Sequence, residues 1–175
     1  MPIVAVTGTS GKTTTARMIA HVMRAAGRRV GLTTSDGAYV DGTLVASGDM
    51  TGPRSAREIL ADPRVDFAVL ETARGGIRRA GLAFDRCDVG VVTNVASDHL
   101  GLKGVETLAD LARVGARVPA AIAPSGANVL NADSPWTAAM AREAGGEVIL
   151  FCIADDNKSR CGRHRCFGRR TPRQP

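Results

Sequence analysis

Lys12 and Thr13, preceded by Gly8-Thr9-Ser10-Gly11, form the combination in this sequence best suited to gripping a polyphosphate. Glycines let backbone N–H groups converge on an anion with no Cβ in the way. A helix starting at this point adds its N-terminal partial charge, and Thr14 falls in the same first turn. Lys12 can reach outer phosphates and the Thr13 hydroxyl can hold Mg2+. The pattern G-x-x-x-x-G-K-[ST] is incomplete, because Val6 stands where its first glycine would fall. The bland alternative is a glycine-rich turn beside an incidental lysine.

Other candidates lie further along. Glu71 ends an apolar run and can complete the oxygen shell of a magnesium ion begun by Thr13, or it can be a strand-end acid paired with Arg74. His99, next to Asp98, can ligate a second metal or move a proton, or it can be an ordinary packed or capping histidine. Asn94 can orient a ligand or satisfy a loop. Asn131 and Asp133 have the chemistry to read a purine edge or a ribose, yet Asp133 or Ser134 would equally serve as the N-cap of a helix opening at Pro135. Arg74, Arg78 and Arg79 can hold an acidic substrate or be solvated. Cys87 reads as a small core residue rather than a nucleophile.

These residues need a scaffold, and the apolar pattern supplies one. Short buried strands are expected at 3–6, 30–34, 65–70, 89–92, 128–131 and 147–151. Helices are expected at 13–26, 55–60, 107–122 and 135–144. A hairpin over 38–45 should turn at Asp41-Gly42, and Gly75-Gly76 should break the chain. Strands alternating with helices predict an α/β fold with a doubly wound, mainly parallel sheet. The loop at 7–13, Glu71, Asp98-His99 and Asn131 with Asp133 then all fall at C-terminal strand ends, where open α/β sheets bind ligands.

At 175 residues the chain can bury a real core. It has no apolar run of about 18 residues, so no membrane span is expected, and no signal peptide is read at its start. The default expectation is a cytoplasmic protein with free thiols. The net charge of +6 suggests nucleic acid until it is located. Residues 1–150 carry 16 Lys/Arg against 15 Asp/Glu, whereas residues 151–175 carry 7 against 2. No nucleic-acid partner is therefore expected. The chain divides into a body, 1–151, and a basic, disordered tail, 152–175. Zinc binding by Cys152, Cys161, His164 and Cys166 is not expected, since structural zinc usually needs two well-spaced ligand pairs.

Taken together, Thr7-Gly8-Thr9-Ser10-Gly11-Lys12-Thr13, Glu71, Asn94 with Asp98-His99, and Asn131-Ala132-Asp133 resemble the ATP-binding central domain of the Mur ligase family. Thr51-Gly52-Pro53-Arg54-Ser55-Ala56-Arg57, Leu70 to Ile77 and Cys87 to Asn94 look closer still to the Mur-like half of cyanophycin synthetases. The resemblance covers about residues 3–151. It implies an ATP-dependent carboxylate–amine ligase that makes an amide through an acyl phosphate. It implies that Gly8 to Thr14 bind the nucleotide with Asn131 near adenine. Lys12, Glu71 and His99 would be catalytic, with Thr13, Glu71 and His99 as metal ligands. The implied cofactors are ATP and Mg2+, and the implied substrates are arginine and an aspartate-backbone polymer.

Three departures from that pattern stand out. Ser10 replaces the usual asparagine. Gly115 falls where the cyanophycin synthetase pattern carries a lysine whose carbamate supports the second metal. The resemblance stops near Phe151, so a closing third domain and the preceding ATP-grasp half are not found in this sequence. The alternative expectation is therefore an inactive MgATP-binding module, or one that depends on a companion chain or a homo-oligomer.

Overall fold

The computed structural model describes residues 1–97 and 107–153, with a further strand at 165–168. Strands β1 (Ile3–Thr7), β2 (Val30–Thr33), β3 (Gly37–Val40), β4 (Thr43–Ser47), β5 (Phe67–Glu71), β6 (Cys87–Val92), β7 (Ile122–Asn131), β8 (Glu147–Cys152) and β9 (Arg165–Gly168) join in one sheet. Their order is β4-β3-β2-β5-β1-β6-β7-β8-β9. Every pairing is parallel except those of β3 with β2 and β4. The mainly parallel α/β sheet expected from the alternating pattern is therefore present.

Alternation along the strands sends side chains to both faces. Val4, Val6 and Val69 pack with Ala16 and Ala20 of α1 (Lys12–Ala25) on one face. Ala68 and Leu70 pack with Ala56 and Ile59 of α2 (Pro53–Ala61) on the other. Strands covered on both faces are mostly apolar, and β5 is buried along its whole length, its terminal Glu71 included. A third cluster joins Leu111 of α4 (Leu108–Gly115) to Leu130, Met140 and Leu150.

Chain reversals follow local chemistry. Gly27, at φ 83°, ends α1 in a Schellman motif: its N–H donates to Arg24 O, and Arg28 N–H donates to Met23 O. Asp41 and Gly42, at φ 49° and 84°, make the tight turn between β3 and β4.

The structure corrects several expected boundaries. Helix α3 (Arg74–Ala80) runs through Gly75-Gly76, where a break was expected. A Cβ at Gly76 would lie 3.2 Å from Thr51 O and 3.3 Å from Pro53 Cδ, so the glycine serves close packing. The helix expected at 107–122 is two pieces, α4 and α5 (Arg117–Ala120). Pro119 has no N–H to continue the ladder between them. Strand β7 starts at Ile122 rather than 128; its register against β6 shifts between Cys87 and Val89. Helix α6 (Pro135–Ala139) gives way to a 3-10 turn at Met140–Arg142. The disorder expected of the tail does not extend to β9, which pairs with β8. Among the described residues no helix is long and apolar enough to cross a membrane.

Candidate functional site

Strand β1 sits between β5 and β6, where the direction of the crossover connections reverses. Such a point opens a crevice at the C-terminal strand ends, and the loop Gly8–Gly11 lies there. Gly8 takes φ 135°, and a Cβ on it would come within 2.1 Å of Thr93 Oγ1. Gly11 takes φ 80° as the residue before α1. Thr15 N–H donates to Gly11 O at 3.0 Å, so the amides of Lys12, Thr13 and Thr14 have no partner within the helix. Helix α1 has neither a side-chain cap nor an acidic residue in its first turn. Its positive end is left open to an external anion.

Three oxygen-bearing side chains meet beside this end. Thr13 Oγ1 donates to Glu71 Oε2 at 2.8 Å and lies 3.1 Å from Ser35 Oγ. Ser35 N–H donates to the same Glu71 oxygen at 3.2 Å. Glu71 is only 3% exposed at the end of β5. The set is hydroxyl and carboxylate oxygen throughout, the donor chemistry of a hard divalent cation. Among the described residues no group of three or more His, Cys, Asp or Glu side chains could hold a metal on its own. A cation at this point would therefore share its shell with phosphate oxygens or water.

Lys12 Nζ donates to Thr9 O at 2.7 Å. Burial lowers the Lys12 pKa below its ordinary value; Glu71 opposes this and Arg74 adds to it. An ammonium stripped of water and facing a second cation gains from an incoming anion. Lys12, Gly8, Thr9, Asp49, Arg74, Asn94, Leu111 and Gly115 line a cleft of about 400 Å³. Gly115, at the last residue of α4, thus faces the same space as Lys12.

A family profile described as Mur ligase middle domain matches residues 6–166. This chain belongs to the Mur ligase middle domain family. It is 55% identical to the cyanophycin synthetase of Synechocystis sp. over 157 residues, which is 90% of this chain but 18% of that protein. Among solved structures, UDP-N-acetylmuramoyl-L-alanyl-D-glutamate–2,6-diaminopimelate ligase superposes with a TM-score of 0.71 at 23% identity, covering 89% of this chain and 33% of that one. A bifunctional folylpolyglutamate synthase/dihydrofolate synthase, with Mn, AMPPNP and L-glutamate bound, gives a TM-score of 0.61 at 20% identity, covering 89% and 45%. The family profile runs past Phe151, where the resemblance was expected to stop.

Within this Mur ligase domain the structure brings together Gly8 to Thr14 and Glu71. Asn131 joins them through Thr93: its Nδ2 donates to Thr93 O at 2.9 Å, and its Oδ1 accepts from Asp133 N–H at 2.8 Å. His99 and Asp98 lie outside the described residues. Cys87 is buried in the core, and burial with the neighbouring Asp88 charge pushes its thiol up to about 12, too high for a nucleophile at neutral pH. Ser35 was not anticipated. Its only sequence signal is a hydroxyl just past the second strand, and that pattern is too common to select.

Proposed function

We propose that this chain is the nucleotide-binding unit of an ATP-dependent carboxylate–amine ligase of the cyanophycin synthetase kind. The observation that carries the reading is the meeting of Thr13, Ser35 and Glu71 at the open N-terminus of α1, beside a desolvated Lys12. ATP would lay its phosphates along the amides of Lys12 to Thr14, with Gly8 to Gly11 arching over them. Lys12 exchanges the Thr9 carbonyl for a phosphate oxygen and steadies the charge on the group in transfer. The oxygen donors suit Mg2+, held by Thr13 and Glu71 with Ser35 beside them and by His99 at a second position. When bound, that ion neutralises phosphate charge. Lys12, Glu71 and His99 are the proposed catalytic groups, and Asn131 the proposed neighbour of adenine.

The proposed substrates are arginine as amine donor and an aspartate side-chain carboxylate on a polymer as acceptor. They rest on identity to a relative named cyanophycin synthetase, of which this chain spans less than a fifth. Cytoplasmic placement follows the same reading. Calorimetric titration of MgATP into the chain tests it. Binding that Lys12→Ala removes is the expected result; equal affinity in both proteins would overturn it.

A second reading is favoured by Gly115. Its place in the cleft with Lys12 supports a module that binds MgATP yet needs a companion chain, or another copy, to ligate. A glycine offers no side chain there to support a second metal.

A further inference from the structure

The end of β6 is bonded to the phosphate loop far more closely than two adjacent loops require. Thr9 N–H donates to Asn94 O at 3.0 Å. Ser10 N–H donates to Asn94 Oδ1 at 3.0 Å, and Asn94 Nδ2 donates back to Ser10 O at 3.1 Å. Thr93 Oγ1 donates to the same Ser10 oxygen at 2.7 Å. Ala96 N–H donates to Thr9 Oγ1 at 3.0 Å. Gly8 permits this approach, since any side chain there would collide with Thr93.

An anion site fails when backbone carbonyls face it, because their partial charge opposes that of the ligand. Loop peptides that turn one N–H toward a phosphate can equally turn a C=O toward it. Here the Ser10 carbonyl is held by two side-chain donors just past the end of β6, and the Thr9 and Ser10 amides are consumed by Asn94. The N–H groups of Lys12 to Thr14 at the helix end have no partner within the helix. Asn94 also lines the cleft itself.

We infer that Asn94 is a positioning residue for polyphosphate binding: by bonding both the N–H and the C=O of Ser10, it fixes which loop dipoles the phosphates meet. The inference rests on the proposed nucleotide reading and assigns a role to a residue outside the phosphate-contacting set. Both faces of the amide are needed, so asparagine is specific. A carboxylate at position 94 would still accept from Ser10 N–H. It could not donate to Ser10 O, and it would add negative charge beside the cleft.

The test compares wild type, Asn94→Asp and Thr93→Val as full chains. Inorganic triphosphate and MgATP are titrated by calorimetry, and each protein's thermal midpoint is measured. Asn94→Asp should lower affinity for both ligands by about tenfold, the scale of one lost hydrogen bond together with the added negative charge, with the midpoint unchanged. Thr93→Val should weaken binding less, through the same carbonyl. Unchanged affinity in Asn94→Asp, or a loss that only tracks a fall in midpoint, overturns the inference. Should Asn94→Asp fail to fold, Thr93→Val decides: weaker binding with a wild-type midpoint supports the role, and unaltered binding removes it. A wild-type chain that binds neither ligand overturns the nucleotide reading itself, and this inference with it.

Discussion

Thr13 Oγ1 donates a 2.8 Å hydrogen bond to Glu71 Oε2, tying the first turn of α1 to the end of β5 across 58 positions of sequence. The bond makes one oxygen cluster from two elements that share no local pattern. A buried carboxylate needs hydrogen-bond donors, and the Thr13 hydroxyl and the Ser35 N–H supply two to the same Glu71 oxygen.

Glu71→Gln keeps the shape and removes the charge. The variant is expected to lose about tenfold in affinity for MgATP while changing little in affinity for metal-free ATP, since the charge acts through the cation. Titrations with Mg2+ and with chelator measure the difference. An equal loss in both conditions would assign Glu71 to the loop rather than to the metal.

Lys12→Met should raise the thermal midpoint of the ligand-free chain at neutral pH while abolishing nucleotide binding. Burial outweighs the attraction of Glu71, so the folded pKa of Lys12 is depressed below 10.5. The folded state then binds fewer protons than the unfolded state between that depressed value and 10.5. Wild-type stability accordingly rises with pH through that window. The gap between variant and wild type should be full at neutral pH and close as pH climbs toward 10.5. Thermal melts across that range read both signs.

Gly8→Ala should cost about 2 kcal/mol or more and remove MgATP binding, because φ 135° is strained for alanine and the methyl would sit 2.1 Å from Thr93 Oγ1. Urea denaturation gives the stability, and a fall below about 0.5 kcal/mol would show that the loop relaxes freely.

Leu130→Ala should cost about 2–5 kcal/mol, as Leu130 is fully buried between Leu111, Met140 and Leu150. The same denaturation curve measures it.

The chain alone should form no amide bond at an appreciable rate, since Gly115 leaves the cleft without the side chain that the resemblance implies there. A Cβ at Gly115 would meet only Met140 Cε at 3.5 Å, an ordinary contact, so Gly115→Lys should fold. ATP-dependent incorporation of labelled arginine into an aspartate-backbone primer is the assay. Incorporation by the wild-type chain would refute the prediction, and incorporation only by Gly115→Lys would single out the missing lysine.

Much of this protein is determined by local sequence. The apolar runs at 3–6 and 67–70 must be covered on both faces, and that requirement alone selects a parallel sheet flanked by helices. The order glycine, lysine, threonine, helix places a cationic, N–H-rich end after β1 with no reference to the rest of the chain. The Schellman glycine and the Asp41-Gly42 turn are equally local, since each follows from backbone angles that few residues adopt.

Tertiary structure decided the partnerships. Ser35 meets Glu71 and Thr13 only because β5 lies between β2 and β1 in the sheet, and Asn94 reaches Ser10 only because β6 lies on the other side of β1. Gly75-Gly76 reads as a break until the turn at Thr51–Pro53 is seen to need room against it. The early start of β7 likewise goes with the shift in its register against β6. Helix and strand periods report which face of an element is apolar. They carry no information about which strand lies next to which, and the chemistry at strand ends is set by that adjacency.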